Sequence, residues 1–360
     1  MLNFIIRRLW YGLLVLLGVV TLVFFLFNIL PGDPARMMLG QRADITSVEA
    51  INKDLGLDQS LPLQYLNFLN DLSPISVHNN VDADNYFYLD EIKYSPYTKL
   101  FSLPGNSVLI IKKPYLRRSY QSKRKVSEIL AEAFPKTMLL ASVSILIAVV
   151  FGVFIGIICA VKKNKFVDKI SLVFSVLGMS LPSFFAAILI AWVFAFLLAD
   201  VTGLNMFGSL YSVDDFGRGE YLDLKNLILP AITLGIRPLA IVVELTRSSL
   251  LDVLSQDYIR TAKAKGLSYF RVITKHALKN AINPVITAVS GWFASLMAGA
   301  VFVEYVFDWK GVGVAIVDAL EKYDLPVVMG AVLFISIILV IINILVDIIY
   351  GFLDPRVRVA

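Results

Sequence analysis

The residue types that carry catalysis or bind metals are scarce in this chain of 360 residues. It contains two histidines, His78 and His276, and one cysteine, Cys159. It contains no His-Glu-x-x-His, Gly-x-Ser-x-Gly or Gly-x-x-x-x-Gly-Lys-Ser/Thr motif. We therefore expect no catalytic site, no metal site and no site of its own for ATP hydrolysis. Cys159 is expected to be a small buried apolar residue.

The most regular spacing of polar groups is in residues 256–280, which read QDYIRTAKAKGLSYFRVITKHALKN. Helical periodicity on both sides of Gly266 predicts two short helices broken at that glycine. The second helix carries an apolar stripe of Phe270, Ile273, Ala277 and Ala281 and a basic stripe of Arg271, Lys275 and Lys279. The basic stripe can face anionic lipid headgroups or an acidic protein partner. Periodicity alone leaves a membrane-surface helix and a docking site equally open.

Four polar residues lie inside otherwise apolar segments, where such residues are costly and often functional. They are Arg237, Glu244, Asn343 and Asp347. Arg237 is the deepest, and it could line a passage or pair with Glu244 or Asp347. We expect the pair. Glu244 and Asp347 lie close to segment ends and are expected to be interfacial.

The elements that carry these residues are long apolar blocks. Hydrophobic residues make up 58% of the chain and charged residues 17%, whereas a soluble domain carries roughly 25% charge. Six blocks are long enough to cross a bilayer as helices: 9–30, 137–161, 170–199, 227–246, 284–307 and 326–350. Pro182 predicts a kink in the third block, because proline removes a helical hydrogen bond.

The first block could instead be a secretory signal, since Arg7 and Arg8 precede it. However, its apolar run is longer than a signal requires, and no small-x-small cleavage site follows it. We expect it to remain as the first span.

Lysine and arginine in the short connections predict the orientation of the spans. The connections 162–169 and 247–279 are basic and are expected in the cytoplasm, whereas residues 200–225 lack a basic excess and are expected outside. Both termini of this multi-pass membrane protein are then cytoplasmic.

Residues 31–136 must lie outside the membrane on this topology, although they contain many basic residues. Long loops are translocated largely regardless of charge. Tyrosines mixed with proline and glycine predict a small folded insert with short strands at about residues 73–125. A featureless spacer is the alternative.

The stretch DYIRTAKAKGL at 257–267 resembles the coupling loop of ATP-binding-cassette (ABC) importer permeases, in its oligopeptide/dipeptide version. The general form of that loop has Glu-Ala-Ala where this chain has Arg260-Thr261-Ala262, a departure that the peptide branch shares. Further segments resemble the same family in the same order: LPGDPA at 30–35, LGLDQSLPLQY at 55–65, LPAITLG at 229–235, LTRSS at 245–249 and FLDPR at 352–356. The resemblance covers nearly the whole chain except about 73–125.

The resemblance implies an all-α protein of the bacterial inner membrane with six transmembrane helices. It also implies the type I ABC importer permease fold and an extracytoplasmic insert between helices 1 and 2. Its implied divisions are an N-terminal helix (1–30), the insert (31–136) and a core of five helices (137–360) with a cytoplasmic coupling loop (247–283). The residues implied to couple to an ATPase are Tyr258, Arg260, Thr261, Ala262, Lys263, Ala264, Lys265, Gly266 and Leu267.

The implied partners are a second homologous permease, two cytoplasmic ATPase subunits that bind the ATP, an extracytoplasmic solute-binding protein and the membrane. No cofactor in this chain and no nucleic acid are expected. The implied function is import of di- to oligopeptides, with nickel complexes or glutathione as alternative substrates. An ion-coupled secondary transporter would normally carry midplane carboxylates and internal repeats, and an intramembrane enzyme would need convergent nucleophiles or metal ligands. The sequence favours neither.

Overall fold

The computed structural model describes residues 2–29, 52, 57–82, 85–213 and 219–353. Within these ranges four helices are long and apolar enough to cross a membrane, and two bent helix pairs pass the same test if each pair is one span. The prediction of a helical membrane protein is confirmed, and the chain has the predicted six spans if each bent pair crosses the membrane once. Some of the residues used above lie outside the described ranges. They are the motif at 30–35, parts of the motifs at 55–65 and 352–356, and Asp214 and Asp215 of the connection 200–225.

Helices alternate with two small sheets. The helices are α1 (Leu2–Ile29), α2 (Leu61–Leu72), α3 (Glu91–Tyr94), α4 (Val126–Val161), α5 (Phe166–Ser180), α6 (Ser183–Ile190), α7 (Ala199–Thr202), α8 (Lys225–Leu254), α9 (Asp257–Ala264), α10 (Tyr269–Arg271), α11 (Leu278–Ala281), α12 (Asn283–Gly299), α13 (Val301–Phe307), α14 (Val312–Glu321) and α15 (Leu325–Leu353). Two π-helices lie at Ala191–Leu197 and Val272–Ala277. The strands are β1 (Ile75–Asn79), β2 (Tyr97–Leu103), β3 (Ser107–Lys112), β4 (Tyr211–Val213) and β5 (Glu220–Leu222).

The chain divides into two compact units. One comprises residues 1–5, 132–317 and 339–360, and the other comprises residues 6–131 and 318–338. The second unit has an apolar core in which Phe24 of α1 and Phe68 of α2 pack with Met329 and Leu333 of α15. This core fixes the short helix α2 against the first and last long helices.

The folded insert, at about residues 73–125 and called the insert from here on, forms the short strands that its composition predicts. β1, β3 and β2 make an antiparallel sheet in that order, with β3 in the centre. The entry and exit of this segment are adjacent, because the Lys112 amide donates to the Pro74 carbonyl at 2.9 Å and the Tyr115 amide donates to the Asp71 carbonyl at 2.9 Å. The insert is therefore a closed folded segment rather than a spacer.

A buried polar cluster around Asp71 of α2 connects that helix to the insert. The Tyr94 hydroxyl donates to Asp71 Oδ1 at 2.6 Å, and Lys93 Nζ lies 3.1 Å from the same oxygen. Burial lowers the pKa of His78 to about 4, with the nearby Lys112 charge adding to the effect, so His78 is neutral at pH 7. Burial likewise lowers the pKa of Lys112 to about 8.

Helix α4 begins eleven residues before the predicted block, at Val126 instead of Thr137. The predicted start followed from apolarity, which marks the hydrocarbon-facing part of a helix but not a continuation beyond it. That continuation is held by packing, since Val126 is fully buried and a Cβ on Gly330 would come within 2.5 Å of Val126 Cγ1.

The third span is broken where a kink was predicted. α5 ends at Ser180, Leu181 has an extended backbone, and α6 begins after Pro182. The helical segments before and after this break are bent by 113° from a straight line. Proline causes the break, because it lacks an N–H and pushes the preceding residue out of the helical region. The fifth span, α12 with α13, bends by 57°.

Helix α8 carries Arg237 and Glu244 and packs closely against α4 through glycines. A Cβ on Gly156 would come within 2.6 Å of Thr246 Cβ and 2.9 Å of the Val243 carbonyl oxygen. A Cβ on Gly152 would meet Val242 at 2.7 Å. Such a small-xxx-small surface lets two helix backbones approach in a membrane. It fixes the position of α8, from which the candidate site extends.

Candidate functional site

The segment that follows α8 is a helical hairpin, residues 257–281, which we call the basic hairpin. Its first arm is α9, and the turn at Gly266 has φ +77°. The Gly266 amide donates to the Lys263 carbonyl at 3.0 Å and the Leu267 amide to the Ala262 carbonyl at 3.4 Å. This pair of bonds is a Schellman helix end, which favours glycine at the left-handed position. The predicted helix break at Gly266 is confirmed.

The two arms of the basic hairpin share an apolar core. Ile259 and Ala262 of α9 pack against Ile273, Ala277 and Ala281 of the second arm. The Asn280 side-chain amide also donates to the Tyr258 hydroxyl at 2.9 Å, which joins the arms at their open end. The same apolar core includes Ala160 of α4 and Leu250 of α8, so the hairpin is held both by its own contacts and by these two long helices.

Phe270 was predicted to belong to the apolar stripe, and this is wrong. Its side chain is 77% exposed, whereas Val272 is fully buried. The second arm passes through the π-helix Val272–Ala277, whose wider turns break the 3.6-residue period from which the stripe was predicted. The basic stripe is unaffected, because Arg271, Lys275 and Lys279 are all exposed.

The nine residues implied to couple to an ATPase separate into two groups. Ala262 is buried in the hairpin core and Leu267 is half-buried. The exposed ones are Tyr258, Arg260, Thr261, Lys263, Ala264, Lys265 and Gly266. With the exposed Tyr269 and Phe270 they form a surface of aromatic and basic groups around the Gly266 turn.

An ion pair that the sequence did not reveal anchors α8 just before the basic hairpin. Arg247 donates from Nε to Asp168 Oδ1 at 2.5 Å and from Nη2 to Oδ2 at 2.8 Å. The Asn164 amide donates to the same carboxylate at 2.8 Å. Asp168 is buried, so the bidentate pair ties the start of α5 to the last turns of α8. One acidic residue within the basic stretch 162–169 was the available signal.

Arg237 does not form the predicted pair with Glu244 or Asp347. Within the described part of the chain, its hydrogen bond runs from Nη2 to the Met179 carbonyl at 3.4 Å. Glu244 and Asn343 are exposed, and Asp347 is half-buried. Arg237 instead lines a cavity of about 190 Å³ at the break between α5 and α6.

Comparison with known proteins identifies the family. Residues 152–359 match the family described as the binding-protein-dependent transport system inner membrane component, and residues 1–84 match its N-terminal family. The chain belongs to this permease family. Its fold is the type I ABC importer permease fold, and it is the membrane component of such an importer, not the ATPase.

Curated relatives match the permease along its whole length. A protein of Brucella suis, named as a peptide permease, is 36% identical over 363 residues, covering all of both chains. A glutathione transport system permease of Pectobacterium atrosepticum is 36% identical over 358 residues, covering 99% of each. The permease is a multi-pass membrane protein.

Solved structures of ABC transporters are more distant. The inward-facing MetNI methionine transporter gives a TM-score of 0.49 at 16% identity, covering 63% of this chain and 97% of that one. An amino acid ABC transporter with bound histidines gives 0.46 at 14% identity, covering 62% and 93%.

A second residue that sequence reasoning missed is Glu304 at the end of the permease's fifth span. Its side chain is fully buried, and Oε2 accepts from the Gly313 amide at 2.7 Å. A Cβ on Gly313 would come within 2.5 Å of Val301 Cα. The neighbouring Val312 amide donates to Thr137 Oγ1 at 2.9 Å. Glu304 therefore holds the turn after α13 close to α4, which supports the bundle.

Proposed function

We propose that the permease imports di- to oligopeptides as one half of a transmembrane passage. A second homologous permease supplies the other half, two cytoplasmic ATPase subunits bind and hydrolyse ATP, and an extracytoplasmic solute-binding protein delivers the peptide. The observation that carries the proposal is the basic hairpin, which presents exposed aromatic and basic side chains around the Gly266 turn. Aromatic and arginine side chains are the common anchors of protein interfaces.

The contacts of the hairpin can transmit movement of a bound ATPase to the membrane spans. Its apolar core keeps the two arms together, and the Asp168–Arg247 pair ties α8 to α5 immediately before it. When ATP binding brings the two ATPases together, each ATPase would move the permease hairpin that is docked on it. The attached spans then rock between inward-open and outward-open states as a two-state device.

Peptide as the substrate class is supported by the relatives' names, which include a peptide permease and a glutathione permease. Glutathione is itself a tripeptide, so both names describe substrates with a peptide backbone. The cavity beside Arg237 combines hydroxyl, aromatic and aliphatic side chains, which suits a peptide. Nickel complexes remain the alternative that the following experiment tests.

Deleting the gene should abolish uptake of di- and tripeptides in a strain that lacks other peptide importers. A toxic peptide analogue should then no longer kill the cells, and the native gene on a plasmid should restore both properties. Uptake is measured with radiolabelled peptides, with glutathione and nickel assayed in parallel. Retained peptide uptake with a loss of nickel-dependent enzyme activity would contradict the peptide assignment while leaving the importer architecture intact.

We also propose that both termini and the basic hairpin lie in the cytoplasm, with residues 31–136 outside. The basic connections 162–169 and 247–279 support this orientation, because positively charged short loops are retained inside. The closed fold of the insert supports its placement in an aqueous compartment.

Single cysteines test this topology. Ile92 in the insert is 76% exposed and Lys263 in the hairpin is exposed, so Ile92→Cys and Lys263→Cys are suitable positions once Cys159 has been replaced by alanine. An impermeant thiol reagent should label Ile92→Cys in intact cells and Lys263→Cys after the cells are opened. The reverse pattern would invert the orientation.

A further inference from the structure

Arg237 lies deep within the span formed by α8. At 1.5 Å per residue it is ~18 Å from the start of the helix at Lys225 and ~26 Å from its end at Leu254. Arginine at such a depth is costly against lipid, so it faces the interior of a bundle, a water-filled cavity or another protein. The Arg237 side chain is nevertheless exposed in the isolated chain. Its charge is therefore suited to a group that the described part of the chain does not supply.

The positive charge of Arg237 is not balanced within the described ranges. A guanidinium has five N–H donors, and for Arg237 one of them meets the Met179 carbonyl at a long 3.4 Å. A backbone carbonyl is neutral, and Glu244, two turns along the same helix, does not pair with Arg237. The remaining donors are available to an anion, and a planar carboxylate fits the guanidinium fork in a bidentate arrangement.

The cavity beside Arg237 defines the size and chemistry of that anion. Besides the guanidinium, its wall has hydroxyl groups from Ser183 and Ser295 and a larger apolar part that includes Trp292 and Phe302. Its volume of about 190 Å³ is smaller than the ~300–1,000 Å³ of pockets that enclose whole drug-sized ligands. The cavity therefore accommodates one end of an extended ligand, with an anionic group beside an apolar side chain.

We propose that this cavity binds the C-terminal end of the transported peptide during its passage. The α-carboxylate pairs with Arg237, and the last side chain packs on Trp292 and Phe302. The ammonium group at the other end of the peptide would be repelled by Arg237, so the site also sets the direction in which the peptide lies. This inference rests on the proposed function, since it requires that peptides are the cargo.

The test compares a peptide with a free C-terminus and the same peptide amidated there. The complete importer, with its solute-binding protein, is reconstituted in proteoliposomes with native chain, Arg237→Gln or Arg237→Lys, and uptake of Ala-Ala-Phe and Ala-Ala-Phe-amide is measured. Binding of both peptides to the purified complex without the binding protein is measured by equilibrium dialysis, which removes any selectivity of that partner. Lys225→Gln is the matched control, because Lys225 is an exposed cation at the start of the same helix.

Arg237→Gln should lower uptake and binding of the free peptide about tenfold or more, the usual loss for a hydrogen-bonded charge. The amide should change little, Arg237→Lys should fall between, and Lys225→Gln should behave as native. Equal losses for both peptides, with a loss of ATP hydrolysis by the complex, would overturn the proposal and indicate that Arg237 pairs with a carboxylate of the second permease. No loss for either peptide would also overturn it. If the native importer moves no peptide at all, the proposed function fails instead.

Discussion

Replacing Gly266 by tryptophan should abolish peptide uptake while the permease still inserts in the membrane. A Cβ added at Gly266 has open space around it, so the fold has room for a side chain. The positive φ of +77° adds strain of roughly 1–2 kcal/mol, which the shared apolar core of the basic hairpin can absorb. The large indole would, however, occupy the surface that an ATPase must contact. Uptake in cells and the amount of permease in membranes are the two measurements.

Two control substitutions separate docking from backbone strain. Gly266→Asn keeps the left-handed turn, since asparagine tolerates that conformation, and should retain much of the uptake. Gly105→Trp places the same side chain at another open glycine with φ +80°, in the insert between β2 and β3, and should transport normally. Full transport by Gly266→Trp, with the ATPases still required, would show that docking takes place elsewhere.

Replacing Asp168 by alanine should give the largest loss of stability. The substitution leaves the partly buried Arg247 guanidinium without its carboxylate, and losing a hydrogen-bonded charge partner costs ~1.5–3 kcal/mol. The start of α5 would then be released from α8, and the basic hairpin would lose its anchor. We expect little assembled importer, a lower unfolding temperature in detergent and weak uptake.

Further variants show whether the ion pair itself is responsible. Removing both partners, Asp168→Ala with Arg247→Ala, should be less damaging than the sum of the two single changes, because no charge is left buried. Lys310→Ala breaks an exposed pair with Asp308 and should cost at most ~1 kcal/mol. If Asp168→Ala were as mild as Lys310→Ala, the buried pair would have no structural role.

The sequence predicted those features that depend on local chemistry. The apolar blocks located the spans, Pro182 located the break between α5 and α6, and Gly266 located the turn of the basic hairpin. Each of these follows from what one residue type or one run of residues does to the backbone.

Features that depend on contacts between distant residues could not be predicted. Asp168 is one acidic residue in a basic stretch, and its importance comes from Arg247, which lies 79 positions away. Glu304 has no pattern around it that reveals its bond to the Gly313 amide. Phe270 was misplaced because a π-helix has no clear sequence signal. The orientation of the Arg237 side chain likewise depends on a distant residue, because its hydrogen bond goes to the Met179 carbonyl near the end of α5.

The adjacent ends of the insert have a consequence for how much change in length this segment can tolerate. The chain leaves the sheet at Lys112, beside the point where it entered at Pro74. The two ends of the segment are therefore attached to the rest of the permease at adjacent positions. A segment whose two ends are adjacent can be lengthened or shortened without moving its attachment points. The insert can therefore change in length while α2 and α4 keep their positions.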